Sequence, residues 1–288
     1  MLELVVTMKL SPIQSPSLKS AYRMPQSRIH MTLPIHTGLL VISTIATSLT
    51  LGCQPATTPQ EEASTSEFSV NSIPSNETTN KVLRHAVFFS FKETSSATDI
   101  QGVADAFAAL PSKIDAIADF QWGVNNSPED FDDGFTHCFL CTFKDEAARD
   151  VYLPHPDHKG EFADILRPHM KDVFVIDYWG TSETIEIKKE LKHAVFFKFK
   201  DDAAKEDVTK VEQAFADLPS KIDAIKAFEW GTNNSPESND DGFTHCFMVT
   251  FDSEEGRAAY LPHPDHKAFV EVLKPVLDKV RVLDFWEQ

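Results

Sequence analysis

The chain has 288 residues and 42% hydrophobic content, enough to bury a sizeable core. Its 44 acidic side chains against 27 basic ones leave a formal net charge of −17. That field repels phosphate backbones and anionic lipid surfaces, which argues against a nucleic-acid partner and leaves membrane association to an anchor.

Residues 1–53 read as a targeting segment. Arg23, Arg28 and His30 precede a run without Lys, Arg, Asp or Glu from Met31 to Gln60. Its apolar heart, Gly38–Gly52, has the length of a signal-peptide core and is short and Ser/Thr-rich for a membrane helix. It ends at Leu51-Gly52-Cys53 and resembles a bacterial lipoprotein signal, with Cys53 as the acylated residue. An uncleaved anchor and an ordinary secretory signal are the alternatives, and Met24 or Met31 is a candidate start. The expectation is an extracytoplasmic, lipid-anchored protein on the periplasmic side or the cell surface. Residues 54–81 are rich in Ser, Thr, Pro, Glu and Asn and read as a disordered tether.

The rest of the chain says nearly the same thing twice. His85–Lys159 returns as His193–Lys267 at a constant spacing of 108 residues. LPSKIDAI, DDGFTHCF and YLPHPDHK recur unchanged, and after Lys159 the second copy drops one residue. Each unit is long enough to be a small domain. The units are predicted at 82–180 and 193–288, with a linker at 181–192.

Within the first unit, alternation predicts a strand over Val87–Phe91, with His85, Val87, Phe89 and Phe91 on one face. Val103, Phe107, Leu110, Ile114 and Ile117 give helical spacing over Ile100–Ile117, offset by Pro111. Phe120–Val124 is a short strand in which Gly123 marks a bulge. Asn125–Pro128 and Asp132–Gly134 carry turn chemistry. A strand follows over Phe135–Phe143, then a helix from an Asp145 N-cap through Tyr152. A Pro-His-Pro elbow leads into helical Asp157–Leu166, and Val173–Trp179 is the last strand.

Cys138 and Cys141 spell C-x-x-C inside a strand, where the odd spacing places them on opposite faces. With Cys246 they read as small buried residues rather than redox or metal groups.

The βαββαβ order is ferredoxin-like. It predicts an α+β fold in which two such repeats face each other, sheet to sheet, as an intramolecular dimeric α/β barrel. One chain would then be a pseudo-dimer and a monomer.

HAVFFSFK, GFTHCFLCTF and above all Tyr152-Leu-Pro-His155-Pro-Asp-His158 resemble the stress-responsive dimeric α/β-barrel (Dabb) family, over Val82–Trp179 and again over Leu191–Trp286. That resemblance implies the barrel. It also implies candidate catalytic residues, because plant polyketide cyclases of the family close a ring by aldol condensation without metal or cofactor. By motif their working residues fall on His85, Tyr152 and His158, and on His193, Tyr260 and His266. No metal and no cofactor are expected.

Histidine exchanges protons near neutrality, and a Tyr hydroxyl can steady charge developing on a substrate oxygen. A pocket walled by Phe89, His137 and Phe139, with Phe197, His245 and Phe247 in the second unit, would bind an apolar or carbonyl-containing small molecule. Three readings stay open: a small-molecule binding protein, a cofactor-independent cyclase or lyase, and a structural interaction module. In the last, His85 only ends a strand and His158 only fixes the elbow through a backbone carbonyl. A metal bound by His155, Asp157 and His158 is disfavoured by Pro156 and the lack of a third clear ligand.

Overall fold

The computed structural model describes residues 81–182 and 187–288. Cys53, the targeting segment and nearly all of the expected tether lie outside them. Among the described residues no helix is long and apolar enough to cross a membrane.

The first repeat runs β1 (Lys81–Phe91), α1 (Ala97–Ala108), β2 (Ile117–Val124), β3 (His137–Phe143), α2 (Glu146–Tyr152), α3 (Ala163–Leu166) and β4 (Met170–Thr181). The second runs β5 (Leu191–Phe199), α4 (Lys205–Ala216), β6 (Ala227–Thr232), β7 (His245–Phe251), α5 (Glu254–Tyr260), α6 (Pro264–Leu273) and β8 (Leu277–Trp286). The sheets are antiparallel, ordered β2-β3-β1-β4 and β6-β7-β5-β8.

Local chemistry sets the boundaries. Ser96 and Asp99 form a reciprocal capping box, so α1 begins at Ala97, ahead of the expected Ile100. Pro111 sits in a single 3-10 turn, Leu110–Ser112, and separates α1 from β2. Asp145 caps α2 as expected, accepting from the Ala148 N–H at 2.9 Å.

The two faces of each sheet have different tasks. Leu83, Val87 and Phe89 of β1 face the helices and join Val103 and Phe107. Ala86 and Phe88 face the other sheet and join Ile176, Phe196 and Leu283 in one shared core. Phe88 meets Phe196 edge to face, with centroids 5.2 Å apart. Each sheet therefore covers the other inside one chain, as expected, and the helices lie outside. β4 adjoins β6 and β2 adjoins β8. The seams are crossed by Asn234 N–H donating to the Asp177 carbonyl at 2.9 Å and by Asn126 N–H donating to that of Asp284 at 2.8 Å.

Gly123 is not a bulge. The register slip in β2 falls between Ile117 and Asp119. Gly123 is glycine because the other repeat touches its backbone: a Cβ there would lie 2.3 Å from the Trp286 carbonyl oxygen. At the equivalent Gly231 it would lie 2.9 Å from the Tyr178 Cβ.

One end of the barrel is plugged by Arg281. Its buried guanidinium lies 4.7, 4.3 and 4.8 Å from the ring centroids of Phe135, Phe174 and Phe243. It donates to Asp133 at 2.7 Å and to Asp241 at 3.0 Å. Both aspartates sit in left-handed turns, at φ 49° and 50°, which Asp tolerates.

The three described cysteines are free and buried. Cys141 joins the helix-side core, while Cys138 and Cys246 join the shared one. Burial pushes all three thiols up, which leaves them unreactive.

Candidate functional site

Each repeat holds a cavity between its sheet and its last helix, ≈ 390 Å³ in the first and ≈ 230 Å³ in the second. A third space, ≈ 260 Å³, lies at a barrel mouth beside Arg84, Lys192 and Glu229. Arg84 pairs there with Glu229 at 3.0 Å, and Lys192 pairs with Glu190.

In the first cavity the polar frame starts on β1. His85 stands on the helix-facing side and is paired in register with Asp177 of β4. Its Nδ1–H donates to Asp177 Oδ1 at 2.7 Å. Asp177 Oδ2 accepts from Arg149 Nη1, carried by α2, at 3.0 Å. Arg149 also donates to the Asn234 carbonyl of the other repeat at 3.1 Å. Tyr152 is fully buried, lies edge-on to His85 at 5.6 Å between centroids, and stacks on His158 at 4.2 Å. His158 Nδ1–H donates to the Leu153 carbonyl at 3.1 Å, which fixes the elbow and leaves Nε2 unspent.

The second cavity repeats this frame. His193 donates to Asp284 at 2.7 Å, and Arg257 donates to the same carboxylate at 2.7 Å and to Asn126 Oδ1 at 2.9 Å. Tyr260 and His266 have ring centroids 4.3 Å apart, and His266 donates to the Leu261 carbonyl at 3.0 Å. Among the described residues the Tyr260 hydroxyl has no hydrogen-bond partner, and the Tyr152 hydroxyl meets only the weakly bonding Cys141 thiol.

The histidines are tuned in opposite directions. Burial disfavours a charged His85, but the adjacent Asp177 carboxylate prevails and raises its pKa; His193 beside Asp284 behaves alike. Burial pushes His158 and His266 down. Burial also drives the phenols of Tyr152 and Tyr260 up, so both remain neutral donors. Each cavity thus holds one imidazole biased toward the cation, one biased toward the neutral base, and a Tyr ring packed between them.

The structure brings His85, Tyr152, His158 and Phe89 together in the first cavity, and His193, Tyr260, His266 and Phe197 in the second. The other four expected pocket residues lie elsewhere. The cavity opens beside β1 and β4, whereas β3 sits on the far side of β1 under α1. Phe139 is therefore core, stacked between Phe107 at 4.5 Å and Trp122 at 5.8 Å. Phe247 is held likewise by Phe215 at 4.4 Å and Trp230 at 5.4 Å. His137 and His245 meet Phe91 and Phe199 edge-on at 5.0 Å, and His245 also contacts Glu212 at 3.0 Å.

His155 accepts from the Asp157 N–H as a helix cap, while His158 turns toward Leu153. Among the described residues no group of three or more His, Cys, Asp or Glu is placed to hold a metal ion.

Sequence reasoning passed over Asp177, Asp284, Arg149, Arg257, Glu129 and Glu237. A signal existed for the aspartates: each is an acid in the middle of an apolar strand, VFVIDYW and VRVLDFW, at equivalent positions.

The cavities differ in their walls and in one inserted residue: Asn239 and Ala163 line the first where Phe131 and Val270 line the second. Gly160 and Glu161 stand in the first repeat where the second has only Ala268. The extra residue widens the winding of Pro156–Phe162 into a π-type turn, in which the Ala163 N–H reaches back to the His158 carbonyl. The shorter α6 is regular.

Comparison with known proteins agrees with this architecture. The family model described as the Stress responsive A/B Barrel Domain matches residues 83–180 and 191–287. Stress-response A/B barrel domain-containing protein HS1 of Arabidopsis thaliana is 38% identical over 100 residues, 35% of this chain and 92% of that protein. Olivetolic acid cyclase of Cannabis sativa is 30% identical over 95 residues, 33% of this chain and 94% of that enzyme. The solved structure of an anthrone oxidase-like protein aligns with 72% of this chain and 91% of its own at TM-score 0.52 and 10% identity, a likeness of fold alone. The chain belongs to the stress-responsive A/B barrel (Dabb) family and carries two copies of the domain.

Proposed function

We propose that the two helix–sheet cavities bind a small apolar molecule carrying a carbonyl group. The observation behind this reading is the Tyr260 hydroxyl, without a partner among the described residues in the wall of a mostly apolar cavity, and its counterpart Tyr152, which has only the weak Cys141 thiol. A buried hydroxyl without a partner costs about 1–3 kcal/mol. A ligand carbonyl that accepts from it recovers that cost, and the aliphatic and aromatic walls take the remainder of the molecule. Calorimetric titration with acetophenone tests this. Binding should be lost in Tyr152→Phe plus Tyr260→Phe; absence of binding to the parent protein, or binding untouched by both substitutions, overturns it.

A second reading, cofactor-independent cyclase- or lyase-type chemistry, is favoured by the opposed histidines. His158 Nε2 would take a proton next to the carbonyl, Tyr152 would hold the enolate oxygen, and His85 would return a proton. The name of the cyclase relative accords with this reading. Turnover of β-keto substrates that survives His158→Ala plus His266→Ala would reject it.

The sequence of residues 1–53 supports a lipid anchor at Cys53 on the extracytoplasmic side, with the barrel as a monomeric pseudo-dimer. Cys53→Ser should release the protein from membranes, and light scattering should give the mass of one chain. Unchanged membrane association rejects the anchor, and the mass of two chains rejects the monomer.

A further inference from the structure

The cavity of each repeat is completed by a carboxylate from the other repeat. Glu237, from the loop between β6 and β7, lines the first cavity, and Glu129, from the loop between β2 and β3, lines the second. Glu237 Oε2 lies 3.8 Å from His85 Nε2, and Glu129 Oε2 lies 3.9 Å from His193 Nδ1. Both distances exceed a hydrogen bond. Both oxygens are shielded from solvent and have no hydrogen-bond partner among the described residues.

Their positions are built rather than incidental. The loop carrying Glu237 is tied to β4 on both sides of that residue. Asn233 Oδ1 accepts from the Asp177 N–H at 3.2 Å, and the Asn239 carbonyl accepts from the Val175 N–H at 2.9 Å. The loop carrying Glu129 is tied to β8 in the same way. Asn125 Oδ1 accepts from the Asp284 N–H at 3.0 Å, and the Phe131 carbonyl accepts from the Val282 N–H at 3.0 Å. The residue after each glutamate, Asp130 or Ser238, takes a left-handed conformation at φ 58° or 57°. A non-glycine residue held there twice, at equivalent positions, marks a backbone constrained by its surroundings.

We infer that Glu237 and Glu129 are ligand-binding residues supplied across the fused repeats, each accepting a hydrogen bond from a ligand hydroxyl. The inference rests on the proposal that the cavities take a carbonyl compound, and it narrows that class. Tyr152 presents a donor suited to a carbonyl, while Glu237 presents an acceptor suited to a hydroxyl. A hydroxyl oxygen seated beside the 3.8 Å gap can donate to Oε2 while facing His85 Nε2. The ligand is therefore a hydroxyl-bearing carbonyl compound, such as a phenolic or enolic ketone, rather than a simple ketone. Neither repeat alone contains the whole site.

Calorimetry with acetophenone and with its ortho, meta and para hydroxy derivatives tests this on the full chain. At least one hydroxy isomer should bind about 10-fold more tightly than acetophenone, the gain expected of a charge-assisted hydrogen bond. Glu237→Gln plus Glu129→Gln should abolish that gain, so that the double variant binds acetophenone and its hydroxy isomers alike. Each single substitution should halve the number of high-affinity sites. The thermal melt of each variant establishes that the barrel is intact. If acetophenone binds but no hydroxy isomer gains, or the gain survives both substitutions, the glutamate role is wrong and the cavity reading stands. If neither acetophenone nor its derivatives bind the parent protein, the cavity reading falls and the glutamate role falls with it.

Discussion

In the first repeat two residues, Gly160 and Glu161, separate Lys159 from Phe162; in the second, Ala268 alone separates Lys267 from Phe269. The polar frames around those segments are nearly superimposable, with His–Asp contacts of 2.7 Å in both and Tyr–His stacking at 4.2 and 4.3 Å. The cavities nonetheless differ, ≈ 390 against ≈ 230 Å³. Two determinants are therefore separable. The strands and the crossing loops fix the polar frame, while the winding of the last helix and the wall residues, Asn239 against Phe131 and Ala163 against Val270, set the room beside it. A duplicated domain can change what fits without disturbing what reacts.

The largest expected effect tests the shared frame. Asp177 is fully buried and accepts from both His85 and Arg149. Asp177→Ala leaves the buried Arg149 guanidinium and the His85 N–H without their shared acceptor and should cost about 3–5 kcal/mol. Asp284→Ala should cost the same in urea unfolding; a clear inequality would show that the frames are not equivalent. Next come the glycines at the seams. Gly123→Ala drives a Cβ into a backbone carbonyl, and Gly231→Ala meets a side-chain Cβ at a longer distance. Overpacking of this kind costs about 1–3 kcal/mol, with Gly123 the more damaging. Equal Tm losses would refute that ranking.

A third test addresses volume alone. Deleting Glu161 should restore regular winding and shrink the first cavity toward the second. Along a series of alkyl phenyl ketones, affinity should then fall by about 0.8 kcal/mol for each methylene no longer accommodated. Unchanged affinities would separate volume from winding.

The smallest effect depends on pH. Burial raises Glu237 above its ordinary value of 4.5, so the fold favours its neutral form. That stabilisation is fully present below pH 4.5 and is lost as pH rises through the raised value. Glu237→Gln, permanently neutral, should melt at a slightly higher temperature than the parent at neutral pH and match it in acid. A lower melting temperature at neutral pH would contradict this.

The fold was legible because its signals are periodic and doubled. Alternation in HAVFFSFK gave β1 its two faces, and the recurrence of that strand supplied the second sheet to cover the first. His85, Tyr152 and His158 were legible through a motif. Their partners were not, because the contacts that matter cross between repeats. Nothing local distinguishes Glu129 or Asn126 from other polar residues of a turn-rich loop. Their roles appear only when that loop lies over the Asp284 strand. Phe139 and His137 were misplaced for a related reason. Period-two counting assigns a face of the sheet, but not which half of that face the helices leave uncovered.

Arg281 occupies the position that corresponds to Phe174 in the first repeat, and the two side chains touch near the pseudo-twofold axis. In an assembly of two identical chains that position would be filled by the same residue twice. Two arginines would confront each other, and two phenylalanines would leave Asp133 and Asp241 without a cation. Covalent fusion releases the axis from that constraint. One copy supplies the charge, the other supplies the ring, and a heterotypic contact forms that no homodimer of either half could encode.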